Sequence, residues 1–217
     1  MDIQLVIFDL DGTLVDSSED ITNALNYALL PHGFKALAVD DTVKVVGEGI
    51  TRLIEQVIGD RDISVKSDVM NRFLEHYEQH ILDCTREYQG VRETLDRMKN
   101  YKKAVISNKK EALSRMVLDG LKLSTYFDII VGSDTTSQRK PSPLPILKVL
   151  ADLHVPAGET VIVGDSNFDI DAGKAAGIHT VAVTYGFRNR EVIAHADHII
   201  DRMTDLIPLL ESMKRQR

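Results

Sequence analysis

Two aspartates stand one residue apart in the stretch FDLDGTLVDS, at Asp9 and Asp11, followed at once by Gly12 and Thr13. Like charges this close repel unless a proton, a cation or a reacting phosphate is shared between them. Three more polar clusters follow apolar runs further along the chain. Ser107-Asn108-Lys109 follows KKAVI, and Arg139-Lys140-Pro141 lies in the loop beyond FDIIVG. Gly164-Asp165 ends ETVIVG, with Asp169 four residues on. Together they supply carboxylates, small hydroxyls, an amide and one or two cations. Transfer of a phosphoryl group needs that set: a nucleophile, an acid-base group, donors for the equatorial oxygens, and positive charge. Mg²⁺ suits an all-oxygen site of a few carboxylates and waters.

Each cluster taken alone also has a structural reading. Asp165 suits a helix N-cap, and Asp165 with Asp169 at i,i+4 would meet on one helical face and repel. Ser107-Asn108 is an ordinary turn pair, and a lysine before proline is common in solvated loops. Asp9 and Asp11 are harder to dismiss, because only one of them can cap the helix that follows. The joint placement of acid, hydroxyl, lysine and acid at successive strand ends is what points to chemistry.

The elements that must hold these residues are legible from hydrophobic pattern. QLVIF, KKAVI, FDIIVG, ETVIVG and HTVAV are short, nearly continuous Val/Ile-rich runs, the pattern of strands buried on both faces of a parallel sheet. Between the later ones lie helical stretches, EALSRMVLDGL, SPLPILKVLADL and DIDAGKAAG. The alternation predicts a doubly wound parallel α/β sheet, in which ligands collect at the carboxyl ends of the strands. Between Thr13 and Ser107, however, lie 93 residues, far beyond a βα connection. In that stretch Ile21, Leu25, Ala28 and Leu29 recur at helical spacing, as do Val69, Phe73, Tyr77 and Ile81. Ser17 or Ser18 is placed to cap the first of these helices. The expected organisation is an α/β core formed by residues 1–15 and 86–217, with a helical cap inserted at 16–85.

FDLDGTLVDS, VISNK, the lysine-proline of RKPSP, and GDSNFDIDAGKAAG resemble the four ordered motifs of the haloacid dehalogenase superfamily. The helical insertion after the first motif is similar to the cap of the phosphoglycolate phosphatase subgroup. The resemblance implies a Rossmann-like core, an aspartyl-phosphate mechanism and a Mg²⁺ cofactor. It implies that Asp9 is the nucleophile and Asp11 the acid-base group. Thr13 and Ser107 hydroxyls, with backbone N–H groups around Gly12 and Asn108, would hold the phosphoryl oxygens. Lys140 would neutralise Asp9 and the developing charge. Asp9, the Asp11 carbonyl and Asp165 would bind Mg²⁺, with Asp169 completing the cluster directly or through water. Relatives that act on carbon–halogen bonds lack an acid at the position of Asp11, so phosphate transfer is the implied chemistry. The loop Gly47-Glu48-Gly49 reads either as a turn that opens a helix or as a cap loop facing substrate, with Thr51 and Arg52 touching the leaving group. Hinges are expected near Val15 to Ser17 and near Tyr88 to Gly90.

Composition sets the outer limits. A formal net charge of −7 argues against a nucleic-acid partner bound by bulk electrostatics. The single cysteine, Cys84, excludes an internal disulfide and a cysteine-based zinc site, and the seven histidines form no HExxH set. No apolar run approaches the ~20 residues of a membrane span, and the N-terminus lacks a signal-peptide pattern, so a cytoplasmic monomer or homodimer is expected. The expected activity is a Mg²⁺-dependent phosphatase for a small phosphorylated metabolite, with a 2-phosphoglycolate-like monoester favoured. A pyrophosphatase, a sugar-phosphate phosphatase or a phosphomutase is the enzymatic alternative. A phospho-accepting receiver-type signalling domain is the alternative of a different class, disfavoured by the long helical insertion.

Overall fold

The computed structural model describes residues 2–59 and 62–215. The ends of the expected core segments, at Met1 and at Gln216 and Arg217, therefore lie outside the described residues. Eight strands form: β1 Leu5–Phe8, β2 Val15–Asp16, β3 Arg86–Glu87, β4 Lys102–Ile106, β5 Ile129–Val131, β6 Thr160–Gly164, β7 His179–Val183 and β8 His198–Ile200. Among the described residues ten α-helices accompany them. The first four are α1 Ser18–Leu29, α2 Val39–Val45, α3 Ile50–Ile58 and α4 Ile63–His80. The others are α5 Val91–Arg97, α6 Glu111–Gly120, α7 Leu144–Leu153, α8 Asn167–Ala175, α9 Arg190–Ile193 and α10 Leu206–Arg215.

Six strands make one parallel sheet in the order β5-β4-β1-β6-β7-β8. The five Val/Ile-rich runs are its strands, and HII supplies β8 at the edge. β1 is central and buried along its whole length. Because side chains alternate across a strand, Val6 and Phe8 join one apolar cluster with Leu95, Val117 and Leu206, while Leu5 and Ile7 join another with Ile146, Val149 and Ala172. Helices therefore cover both faces, as expected of a doubly wound sheet.

α1 to α4 lie between β2 and β3. Ile21, Leu25, Ala28 and Leu29 of α1, and Val69, Phe73 and Tyr77 of α4, are all buried, on the helical stripes that their spacing predicts. One helix of this segment, α2, has no counterpart in the sequence reading. Its VDDTVKV is short and rich in β-branched residues, which weakens a helical signal. Asp40 and Asp41 in its first turn and Lys44 in its last compensate by matching the helix dipole.

Where the chain leaves the sheet and where it returns, the two connections pair as an antiparallel ribbon, Val15 with Glu87 and Asp16 with Arg86. A buried carboxylate braces this ribbon from α1. Asp20 accepts the N–H of Cys84 at 2.9 Å, the N–H of Thr85 at 2.8 Å and the Thr85 hydroxyl at 2.7 Å.

Candidate active site

Sheet register brings the polar clusters to one place. Phe8 is level with Val105 on one side and Val163 on the other. Asp9 therefore leaves the central strand beside the segments that carry Ser107 and Asp165, on strands about 4.8 Å away to either side. Two glycines make the approach possible. A Cβ on Gly12, whose φ is +84°, would fall 2.4 Å from Asp165 Oδ2, and one on Gly164 would fall 2.2 Å from Asp169 Cγ.

Lys140 comes from the loop after β5, where its bond to Pro141 is cis. Its ammonium lies 2.8 Å from Asp9 Oδ1 and 2.6 Å from Asp169 Oδ1, and it also donates to the Ile106 carbonyl at 2.7 Å. Burial works against the charged lysine, but the charges of Asp169 and Asp9 outweigh it and hold its pKa above the ordinary value. Both oxygens of Asp169 are engaged: Oδ2 accepts the Ser166 hydroxyl at 2.6 Å and the Ser166 N–H at 3.1 Å. This reciprocal cap starts α8. Ser166, rather than Asp165, is thus the N-cap, and Asp165 stands just outside the helix. Asp165 Oδ2 accepts the Phe187 N–H at 2.7 Å.

Asp9, Asp165 and Asp169 each offer an oxygen within 4.8 Å of the others. Burial, and then the charge of Asp169, raise Asp9 well above the usual carboxylate range and push Asp165 up to about 7. One lysine does not neutralise three acids. Asp9 Oδ2 and Asp165 Oδ1 accept no hydrogen bond among the described residues, although both side chains are buried. A hard divalent cation such as Mg²⁺ fits a donor set of this kind, all oxygen, under-neutralised and with open lone pairs.

Asp11 turns away from this cluster. Its Oδ1 accepts Ser17 Oγ at 2.5 Å and Lys109 Nζ at 2.6 Å. Lys109 also donates to the Tyr77 hydroxyl of α4 at 2.8 Å. Burial opposes the Lys109 charge, but Asp11 and then Tyr77 hold its pKa above the ordinary value, while burial pushes the Tyr77 phenol up to about 12. Sequence reasoning gave no functional role to Lys109 or Tyr77, and to Ser17 only a helix cap, as an alternative to Ser18. Ser17 is the N-cap residue of α1 but makes no capping bond. Lys109 had a local signal, its place directly after Ser107-Asn108. Tyr77 had none, since its helical spacing marks it equally as core.

The other expected phosphate-binding groups divide. Ser107 and Asn108 line the cavity above Asp9, with Asp11, Asp165, Ser166, Lys109 and Arg188. The Asn108 amide donates to the Gly47 carbonyl at 2.7 Å and to the Lys140 carbonyl at 3.0 Å, which ties the glycine loop to the lysine loop. The Gly12 N–H is donated to the Val15 carbonyl at 2.9 Å and so is already spent. The N–H groups of Asp11 and Asn108 have no acceptor among the described residues. Thr13 is buried with its hydroxyl unpartnered, and it is not among the residues lining the cavity. Arg52 also lies outside that lining. It pairs with Glu55 at 2.9 Å on the exposed face of α3, beside a separate depression that Arg139 and Phe168 share.

Gly49 is the N-cap of α3, and a Cβ there would fall 2.9 Å from the Asn108 carbonyl. The Gly47–Gly49 loop therefore opens a helix and also sits against the sheet end. Arg188, from the loop after β7, grips the same segment by donating to the Val43 carbonyl at 2.6 Å and to the Val46 carbonyl. His195 and His198 hold no metal cluster among the described residues; His195 pairs with Asp171 at 2.9 Å.

Residues 6–183 match the family described as haloacid dehalogenase-like hydrolase. Over 214 residues the chain is 38% identical to the phosphoglycolate phosphatase of Aquifex aeolicus, covering 97% of this chain and 98% of that protein. It is 36% identical over 202 residues to the phosphoglycolate phosphatase of Neisseria meningitidis, covering 90% and 86%. Among solved structures, a predicted phosphoglycolate phosphatase from Haemophilus somnus superposes with a TM-score of 0.90 at 25% identity, covering 96% of this chain and 98% of that one.

Proposed function

The chain belongs to the haloacid dehalogenase-like hydrolase family, and on that premise we propose that it is a Mg²⁺-dependent phosphatase of a small phosphorylated metabolite, working through a phosphoaspartate on Asp9. The carrying observation is the division of the two motif acids. Asp9 sits with Lys140, Asp165 and Asp169, whereas Asp11 is held by Ser17 and Lys109 on the side of the helical segment. This division supports a reading in which Asp9, beside Lys140 and the acids that would hold the metal, attacks phosphorus, and Asp11 serves the leaving group.

In this reading an Asp9 oxygen forms the new P–O bond as the bond to the leaving oxygen breaks, and Asp11 gives that oxygen its proton. Asp11 then takes a proton from the water that attacks the phosphoaspartate, which releases phosphate and restores Asp9. Lys140 offsets the charge of Asp9 and Asp169. The Ser107 hydroxyl and the N–H groups of Asp11 and Asn108 are the donors for the phosphoryl oxygens. Asp9, Asp165 and the Asp11 carbonyl would hold Mg²⁺, with Asp169 completing the set directly or through water. When bound, the ion neutralises the acids and draws charge from the phosphoryl oxygens. Residues 16–85 serve as a cap over a core of 1–15 and 86–217. A cap held by Asn108 and Arg188 excludes water that would compete with the leaving group. A 2-phosphoglycolate-like monoester is the favoured substrate, consistent with the names of the relatives, and the enzyme is expected in the cytoplasm.

A panel of phosphate esters assayed with Mg²⁺ tests this. Phosphate release is expected from the wild type and not from Asp9→Asn. Release that survives Asp9→Asn removes the nucleophile, and a wild type inert toward every ester removes the phosphatase.

A further inference from the structure

The wall of the cavity that faces the helical segment is apolar, formed by Ile21, Ile50, Leu53, Phe73 and Leu113. Two polar groups interrupt it, the Lys109 ammonium and the Tyr77 hydroxyl, 2.8 Å apart. Lys109 has three N–H donors and uses two, on Asp11 and Tyr77. The Tyr77 hydroxyl accepts from Lys109, and its own proton has no acceptor among the described residues. Both side chains are buried or nearly so; Lys109 is 8% exposed. Two unspent donors, one of them charged, therefore face a pocket whose remaining surface on that side is hydrocarbon. In the phosphoryl chemistry proposed above Lys109 serves only to hold Asp11, and Tyr77 has no part.

Other cations are less suited to a ligand here. Arg188 is committed to the Val43 and Val46 carbonyls, Arg52 is paired outside the cavity, and Lys110 lines the cavity but is exposed, so solvent screens its charge. Lys109 is also close to the reacting bond. A leaving oxygen one hydrogen bond (about 2.7 Å) from Asp11 lies within about 5 Å of Lys109 Nζ if it meets the oxygen that Lys109 holds at 2.6 Å, and within about 7–8 Å if it meets the other. A carboxylate one carbon from the ester oxygen, with its own hydrogen bond to Lys109, falls within that reach. When Asp11 turns to the leaving oxygen, the buried ammonium loses its only anionic partner among the described residues. An uncompensated buried charge is costly, and an anion on the leaving group replaces what Asp11 withdraws.

We propose that Lys109 and Tyr77 form the leaving-group subsite, and that it is built for a carboxylate one carbon removed from the ester oxygen. The proposal rests on the phosphatase reading and specifies its substrate. The subsite has two halves, because Lys109 follows β4 of the sheet and Tyr77 stands on α4 of the helical segment. It exists only while the two are together, so the leaving group is recognised in the closed state and not on first encounter.

The test compares kcat/KM for 2-phosphoglycolate and for 2-hydroxyethyl phosphate, which differ in having a carboxylate or an alcohol at the far end. The wild type should prefer the first by about ten- to hundredfold, the worth of a hydrogen bond to a charged group. In Lys109→Met that preference should collapse to within about threefold, while Lys109→Arg, which keeps the charge, should retain most of it. Tyr77→Phe, which keeps the ring and the packing, should lose several-fold of the preference, chiefly through KM. A thermal melt of each variant identifies any that fail to fold, and Tyr77→Phe then carries the test alone. An unchanged ratio in folded Lys109→Met or Tyr77→Phe overturns the subsite. So does a wild type that hydrolyses both esters equally, or one that hydrolyses other esters and neither of these two, and in each case the phosphatase reading stands. Glycolate gives a readout without turnover: its inhibition constant should weaken at least about tenfold in Lys109→Met, and an unchanged constant counts against the proposal.

Discussion

Lys140 holds its ammonium 2.8 Å from Asp9 Oδ1, and both side chains are buried beside two more acids. The pair is the centre of the site. Lys140 is the only cation whose ion pairs reach this cluster among the described residues, and the sheet core beneath it offers no solvent to take its place.

Lys140→Met should therefore abolish phosphate release and also weaken the fold. Removing one partner of a buried ion pair costs about 3–5 kcal/mol, here reduced because the acids can take up protons instead. Chemical denaturation at neutral pH should show the loss, and Mg²⁺ should recover part of it. Stability equal to the wild type without Mg²⁺ would mean that the lysine does not hold the acids together.

Stability of the metal-free protein should fall as pH rises from about 4 to about 7. Asp9 is raised well above its usual range and Asp165 is pushed up to about 7, so across that window the folded state keeps protons that the unfolded chain has released. More bound protons in the folded state means stability declines with rising pH. Mg²⁺ competes with those protons, so it should stabilise the protein more at about pH 8 than at about pH 5. Urea unfolding at both values, with and without Mg²⁺, measures the difference, and Asp165→Asn should remove most of it. Equal stabilisation at the two values would place the ion elsewhere.

Asp20 is the brace of the ribbon between sheet and helices. Asp20→Ala leaves the Cys84 and Thr85 N–H groups and the Thr85 hydroxyl without their acceptor, at about 1–3 kcal/mol per buried group left unsatisfied. The expected result is a lower melting temperature and faster proteolytic cleavage near residues 83–87, with Asp20→Asn intermediate. Cleavage elsewhere, with this stretch protected, would show that the ribbon does not depend on Asp20.

Asn108 and Arg188 fasten the glycine loop from two sides, at Gly47 and at Val43 and Val46. Arg188→Ala should raise KM several-fold with a smaller effect on kcat, because it loosens the closed state without touching the acids' hydrogen bonds. With Asn108→Ala, the double variant should lose less than the sum of the single losses, since both act on one segment. Strict additivity would mean that the two contacts hold separate elements.

The limits of the sequence reading are clearest at Asp11 and α2. Asp11 was assigned its acid-base role without partners. That Ser17 and Lys109 hold it, with Tyr77 behind Lys109, depends on α1 and α4 folding back over the strand ends, which no local pattern encodes. α2 was missed because seven residues with three β-branched valines and a threonine carry too little helical signal. Its C-terminal carbonyls nevertheless became the anchor for Arg188. Arg52 was named from its place in a loop, yet one turn into α3 its side chain runs along the outer face to Glu55.

By itself the sequence determined the parallel sheet, the runs that form its strands, and the row of polar groups at the strand ends. It could do so because period-two and period-3.6 burial patterns, and the residues that interrupt them, are local properties of the chain. Tertiary structure alone decided that Asp11 is held by Ser17 and Lys109, away from the cluster of Asp9, Asp165, Asp169 and Lys140. It also decided that Asn108 serves as a tie as well as lining the cavity, and that the Gly12 N–H is spent. Those outcomes depend on which donors and acceptors arrive within about 3 Å of one another, and in a folded chain that distance is fixed by packing between elements rather than by separation along the sequence.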